Sequence, residues 1–95
     1  MSLTKNYETI MIISTQNGEE ATAAIIEKFK ALITEHGEIQ TVDDWGKRRL
    51  AYEIMDESEG HYVLIDFTSD LEFPAELDRV YKITDGVLRS LIIAK

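Results

Sequence analysis

From Lys5 to Ser14 the chain reads KNYETIMIIS, rich in β-branched residues and followed by the turn cluster TQNG. This predicts a first strand. Tyr7, Thr9, Met11 and Ile13 share one face, while Glu8, Ile10, Ile12 and Ser14 share the other. Both faces carry apolar groups, as a central strand requires. The period then changes. Ala21, Ala24, Ile25, Phe29, Leu32, Ile33 and His36 recur at helical spacing. Asn17 and Glu20 have the form of a capping box, Glu19 and Glu20 suit the positive helix end, and Gly37 offers a left-handed stop.

A second strand is predicted from near Ile39, but Ile39, Val42, Trp45, Leu50, Tyr52 and Ile54 do not keep one period of two. A bulge or bend at Gly46 would restore the register. Met55 to Gly60, MDESEG, reads as a polar hairpin tip closed by glycine. The third strand, HYVLIDFT, sets His61, Val63, Ile65 and Phe67 against Tyr62, Leu64 and Asp66. Pro74 suits the first turn of a second helix, whose stripe is Phe73, Leu77, Val80, Tyr81 and Thr84. Asp85-Gly86 then turns the chain into a fourth strand, Val87 to Ala94. The order β-α-β-β-α-β predicts a ferredoxin-like α+β sandwich, a four-stranded antiparallel sheet with both helices on one face. Ninety-five residues make one domain, 1–95.

Two helices cover one face of such a sheet. The other face would hold Ile10, Ile12, Tyr62 and Leu64 as a contiguous apolar patch, the kind of surface that marks a contact site.

Composition removes whole classes of chemistry. The absence of cysteine excludes disulfides, thiolate zinc sites and cysteine nucleophiles. No apolar run is long enough to span a membrane, and the first residues lack the apolar core of a signal peptide, so cytoplasm is the expected location. His36 and His61 lie at a helix end and a hairpin base, without a nucleophile pattern around them. Asp43–Asp44 and Glu57–Glu59 match no calcium or magnesium loop, and there is no glycine-rich phosphate loop. Small acylphosphatases share this element order, but no glycine-rich loop ending in arginine follows the first strand. Neither an enzyme, a cofactor nor a metal is expected. RNA-recognition motifs also share the topology, yet Glu59, His61 and Val63 stand where that motif uses a cation and aromatic platforms.

The net charge of −8 opposes nucleic acid in bulk and favours a basic partner. Against it stands one basic knot, Lys47-Arg48-Arg49, at a strand entry. Strand alternation would send Lys47 and Arg49 to one side and Arg48 to the other. Arg89 in the fourth strand and Lys5 ahead of the first are the other cations that begin or flank strands. Guanidinium groups suit bidentate phosphate contact and stack on exposed bases.

Four stretches carry a resemblance: YETIMII, WGKRRLAYEI, GHYVLIDF and LDRVYKITDGVLRSLI, in that order from Tyr7 to about Ile93. Together they resemble the bacterial small-subunit (30S) ribosomal protein six family, whose most specific block corresponds to Gly46-x-Arg48-Arg49-Leu50-Ala51-Tyr52-x-Ile54. The resemblance implies the same βαββαβ fold and a structural, non-catalytic role. It further implies contact with the central domain of small-subunit (16S) ribosomal RNA, made together with ribosomal protein eighteen, a small and strongly basic partner. Arg48 and Arg49 match the family's paired arginines and Arg89 an arginine of its last strand, so these are the implied RNA-facing residues. Lys47 and Lys5 are further candidates. Leu50, Tyr52 and Ile54 alternate as packing residues would. The patch of Ile10, Ile12, Tyr62 and Leu64, or the edge of the second strand, is the expected partner surface. Asn6 follows Lys5 where many members carry a second basic residue. The alternative reading is a ferredoxin-like regulatory module that dimerises or binds a small ligand through its open sheet face; it would have no need of the basic block.

Overall fold

The computed structural model describes residues 4–54 and 57–95. Its elements are β1 (Thr4–Ile13), α1 (Glu19–His36), β2 (Gly37–Ile54), β3 (Glu57–Asp70), α2 (Phe73–Ile83) and β4 (Val87–Ala94). The strands form one antiparallel sheet in the order β2-β3-β1-β4. The expected βαββαβ architecture is therefore the observed one, and β1 is a central strand.

Alternation along β1 decides where the core sits. Tyr7, Met11 and Ile13 are buried with Val63, Ile65 and Phe67 of β3, and Phe29, Ile33, Phe73, Leu77 and Tyr81 of the helices close over them. The aromatic groups interlock: Phe29 lies 4.4 Å from Tyr81, and Phe67 meets Phe73 edge-on at 5.9 Å. One polar contact crosses this layer. Thr9 Oγ1 and the Tyr81 hydroxyl are 2.9 Å apart, both buried, so neither group is left without a partner.

Several local details differ from the sequence reading. Asn17 does not cap α1. The cap residue is Gly18 at φ 90°, with no side-chain cap, and Thr22 instead donates back to the carbonyls of Ser14 and Gly18. Thr22 is consequently buried, whereas Ala24 and His36 of the expected stripe are exposed, His36 stacking on Phe73 at 4.7 Å. Gly37 is no left-handed stop: it is extended and already opens β2. Its missing side chain serves proximity, since a Cβ there would lie 2.1 Å from the Thr68 carbonyl oxygen.

The β2–β3 hairpin is longer than the spacing implied. Gly60 is not part of its tip but a buried residue inside β3, paired with Arg48; Met55 and Asp56 of the expected tip lie outside the described residues. A Cβ on Gly60 would stand 2.5 Å from Ile12 Cγ2 and within reach of Leu50. Leu50 is buried there, and so is Ile12. The hairpin end therefore closes over Ile12, and the accessible part of the expected patch narrows to Ile10, Tyr62 and Leu64, each half-buried. The bulge does fall at Gly46: its φ is 74°, and the register slips between Asp44 and Gly46, leaving Trp45 unpaired in the ladder. α2 begins with Pro74 in its first turn, as anticipated, with Asp70 Oδ1 accepting from the backbone of Glu72 and Phe73.

Two stability outcomes follow from this packing. Gly37→Ala forces the β2 and β3 backbones apart and should cost about 1–3 kcal/mol in urea unfolding. Burial pushes the Tyr81 phenol up from 10.0 to about 12, the Thr9 hydrogen bond offsetting only part of the rise. Because the unfolded phenol ionises first, this contribution is complete below pH 10 and is lost as pH climbs through about 12. Its size is about 2–3 kcal/mol. Urea unfolding of the wild type and Tyr81→Phe across that range should show the wild type losing its advantage.

Candidate nucleic-acid interface

Directly paired residues of neighbouring strands put their side chains on the same sheet face. Gly46 pairs with Tyr62, Tyr62 with Ile12, and Ile12 with Arg89, so one row crosses all four strands on the face without helices. Trp45, displaced by the bulge at Gly46, stacks on Tyr62 with ring centroids 6.2 Å apart and planes 15° apart. The Trp45 indole N–H donates to Asp43 Oδ2 at 2.8 Å, which fixes the ring while leaving it 41% exposed.

The cations join this row. Arg48, opposite Gly60, uses Nε to hold the Trp45 carbonyl at 3.2 Å, leaving both terminal nitrogens without a carboxylate partner among the described residues. Arg49 lines the same groove as Trp45, Arg48 and Tyr62. Arg49 still pairs with Glu59, on the side of β2 that alternation predicts, and reaches the groove at its rim, just before the β2–β3 register lapses. Arg89 closes the far end of the row and donates to the Tyr52 hydroxyl across the curled hairpin. Tyr52 is thus an exposed partner of an arginine, not the packing residue its alternation implied.

Two candidates lie elsewhere. Lys47 pairs with His61 on the helix side, and its ammonium is held by Glu59 at 3.2 Å. Lys5 pairs with Ser69, whereas Arg48 pairs with Gly60, a separation of about 30 Å along β3. Arg48, Arg49 and Arg89 are brought together; Lys5 is not among them.

The acidic pairs near the knot are occupied. Asp44 Oδ1 accepts from the Gly46 amide at 2.9 Å and meets His61 Nε2 at 2.6 Å, and Ser14 donates to Glu57 at 2.6 Å. Among the described residues no group of His, Asp and Glu is arranged to hold a metal ion.

Below the basic row the face changes character. Leu64, Ile10 and Leu91 form an apolar row, with Leu91 53% exposed. Next comes an acidic row, Asp66 beside Glu8. The Lys95 ammonium lies 2.8 Å from Asp66 Oδ1 and 3.9 Å from Glu8, and Thr41 donates to Asp66 Oδ2 at 2.9 Å. This banding was not apparent from the sequence, although the alternation that placed Glu8 and Asp66 outward contained its signal.

The profile of the family described as Ribosomal protein S6 matches residues 6–94. The chain belongs to the ribosomal protein S6 family. It is 56% identical over 90 residues to small ribosomal subunit protein bS6 of Thermoanaerobacter pseudethanolicus, and 50% identical over 90 residues to that of Clostridium novyi. Each match covers 94% of this chain and 95% of the relative. The crystal structure of 30S ribosomal protein S6 from Thermotoga maritima superposes with a TM-score of 0.92 at 32% identity, covering 98% of this chain and 89% of that one. S6 proteins are structural parts of the small subunit of the cytoplasmic bacterial ribosome, and not enzymes.

Lys95 and Thr41 hold the Asp66 carboxyl below its ordinary value of 3.8. A lowered folded pKa stabilises the fold above 3.8, and the contribution disappears as pH falls further through the folded value. Thermal melts should therefore place the wild type above Asp66→Asn at neutral pH, with the difference closing in acid.

Proposed function

We propose that this protein is a structural constituent of the small ribosomal subunit that contacts the central domain of small-subunit ribosomal RNA jointly with ribosomal protein eighteen. The observation that carries the reading is the basic-aromatic row of the open sheet face. Arg48 and Arg49 present guanidinium groups with no carboxylate partner among the described residues, beside an exposed indole, in a chain of net charge −8. Such a group binds phosphate in bidentate fashion or stacks on an unpaired base. Arg89 extends the same row. Lys47, committed to Glu59, contributes less, and Lys5 would meet a separate stretch of RNA.

A few arginines on an acidic chain give weak phosphate attraction of their own. The apolar row of Ile10, Leu64 and Leu91, with Tyr62 and the covered Ile12 in the row above it, adjoins the arginines and offers a dry contact to the basic partner. That partner would supply the remaining phosphate neutralisation. The pair would then bind where neither does so strongly alone.

A titration of a central-domain RNA fragment tests this, with the protein alone and with ribosomal protein eighteen, at two salt concentrations. Tight binding is expected only in the pair and should fall with salt. Arg48→Glu with Arg49→Glu should weaken assembly at least tenfold and reduce the logarithmic salt slope by about 2, while the melting temperature is retained. Binding that ignores both arginines, or a collapse of the fold on their replacement, overturns the assignment.

A further inference from the structure

The two edges of the sheet are built differently. β2 is interrupted at Gln40 and Trp45, where its register slips, and carries Glu38, Asp43, Asp44, Lys47, Arg48 and Arg49. Bulges and charges of this kind keep an edge from pairing with another chain. β4, reading VLRSLIIA, has no proline, no lysine and a single charge, Arg89. Its ladder to β1 runs without a slip from Arg89 to Ala94.

The direction of its backbone groups is set by one bond. The Lys95 amide donates to the Asn6 carbonyl at 2.9 Å, so Ile93, Leu91 and Arg89, at steps of two, also face β1. Thr9 Oγ1, donating to the Leu91 carbonyl at 3.2 Å, agrees with that direction. Ser90, Ile92 and Ala94 therefore aim their N–H and C=O groups at the free edge, where no described residue pairs with them. These three residues also line an open groove of about 430 Å³, walled on the other side by Pro74, Ala75 and Asp78 of α2.

We infer that this groove takes an extended, lysine- or arginine-bearing polypeptide segment, which adds to the sheet as a fifth strand alongside β4. Strand addition uses the outward backbone groups for affinity and alternate side chains for selectivity. On the helix side, a cation of the segment reaches Asp78, whose present partner is Lys82 in an exposed pair at 2.9 Å. Exposed pairs of that sort are weak and exchange readily. On the other side, apolar residues cover Leu91 and Ile93, which are 53% and 43% exposed. A second copy of the chain is the poorer occupant, because each copy carries −8. The groove lies apart from the arginine row and shares only Leu91 with the apolar row assigned above to the basic partner.

The probe is a capped ten-residue peptide of alternating valine and lysine, titrated into the full-length ¹⁵N-labelled protein. The amide signals of Ser90, Ile92 and Ala94 should shift, and their hydrogen exchange should slow at least tenfold. Leu91 and Ile93, already bonded to β1, should show no comparable slowing. The same peptide N-methylated at every residue should not bind, nor should one with glutamate for lysine. Ser90→Pro removes an outward donor without touching the bonds to β1, a placement that edge strands tolerate, and should weaken binding at least tenfold. If that variant does not fold, the N-methylated peptide still decides. Three outcomes overturn the inference. They are no binding, equal binding of the N-methylated peptide, or slowing at Ser90, Ile92 and Ala94 that rises with protein concentration alone as a dimer forms in sedimentation.

Discussion

Along β1 the side chains alternate between a face that meets Phe29, Leu77 and Tyr81 and a face that meets no helix. The first face is filled to the point where Thr9 and Tyr81 must satisfy each other's hydroxyls. Burying that much apolar surface is what holds a chain of this length together. It also commits both helices. Whatever lies on the opposite face must be covered by the chain's own hairpin or be left for another molecule. The hairpin end covers Ile12 alone through Leu50, and Gly60 is the residue that lets it come close enough. Ile10, Leu64 and Leu91 are left half-covered or open.

The bulge at Gly46 is the device that gives this open face its chemistry. Without the slip between Asp44 and Gly46, Trp45 would pair directly opposite Tyr62; with it, Gly46 takes that ladder position and the indole stacks beside the Tyr62 ring from an unpaired one. The slip also sets which of the three cations that follow reaches the open face. Arg48 arrives opposite Gly60 on that face, and Lys47 is turned toward His61 and neutralised by Glu59. A glycine at φ 74° is the residue such a bend requires.

The element order, the central position of β1, the Gly46 bulge and the stripe of Phe73, Leu77 and Tyr81 were legible because each is written in local periodicity or in one residue's dihedral freedom. The start of α1 was not. Asn17 and Glu20 fit a capping box, but the turn places Gly18 at the cap, and Thr22 does the bonding. The burial of Ile12 depends on residues nearly forty positions away, and no window of sequence reports that. Strand membership could not show that Lys5 lies at the far end of the sheet from Arg48, since only the β1–β3 register fixes it. The match of Arg48, Arg49 and Arg89 to the family block named cations that the structure gathers at the hairpin end of the sheet. Neither their neighbours Trp45 and Tyr52 nor the acidic row beneath them could be read in the same way.

Net charge and local charge then answer different questions. Arg89 stands opposite Ile12, and Glu8 lies four residues along β1, about 13 Å away at strand rise. The Debye length at physiological ionic strength is about 8 Å. The acidic row is therefore largely screened from the arginines, and Lys95 already compensates part of it. At contact range a phosphate senses Arg48, Arg49 and Arg89; at longer range it meets a chain of net charge −8. In the RNA-facing role proposed above, such a surface would discourage indiscriminate RNA binding and reward only the approach that brings the basic row into register. A partner of opposite charge feels the long-range field in the other sense and is drawn in first. In that role, negative composition and a positive row would be complementary parts of one selection, the first acting on encounter and the second on fit.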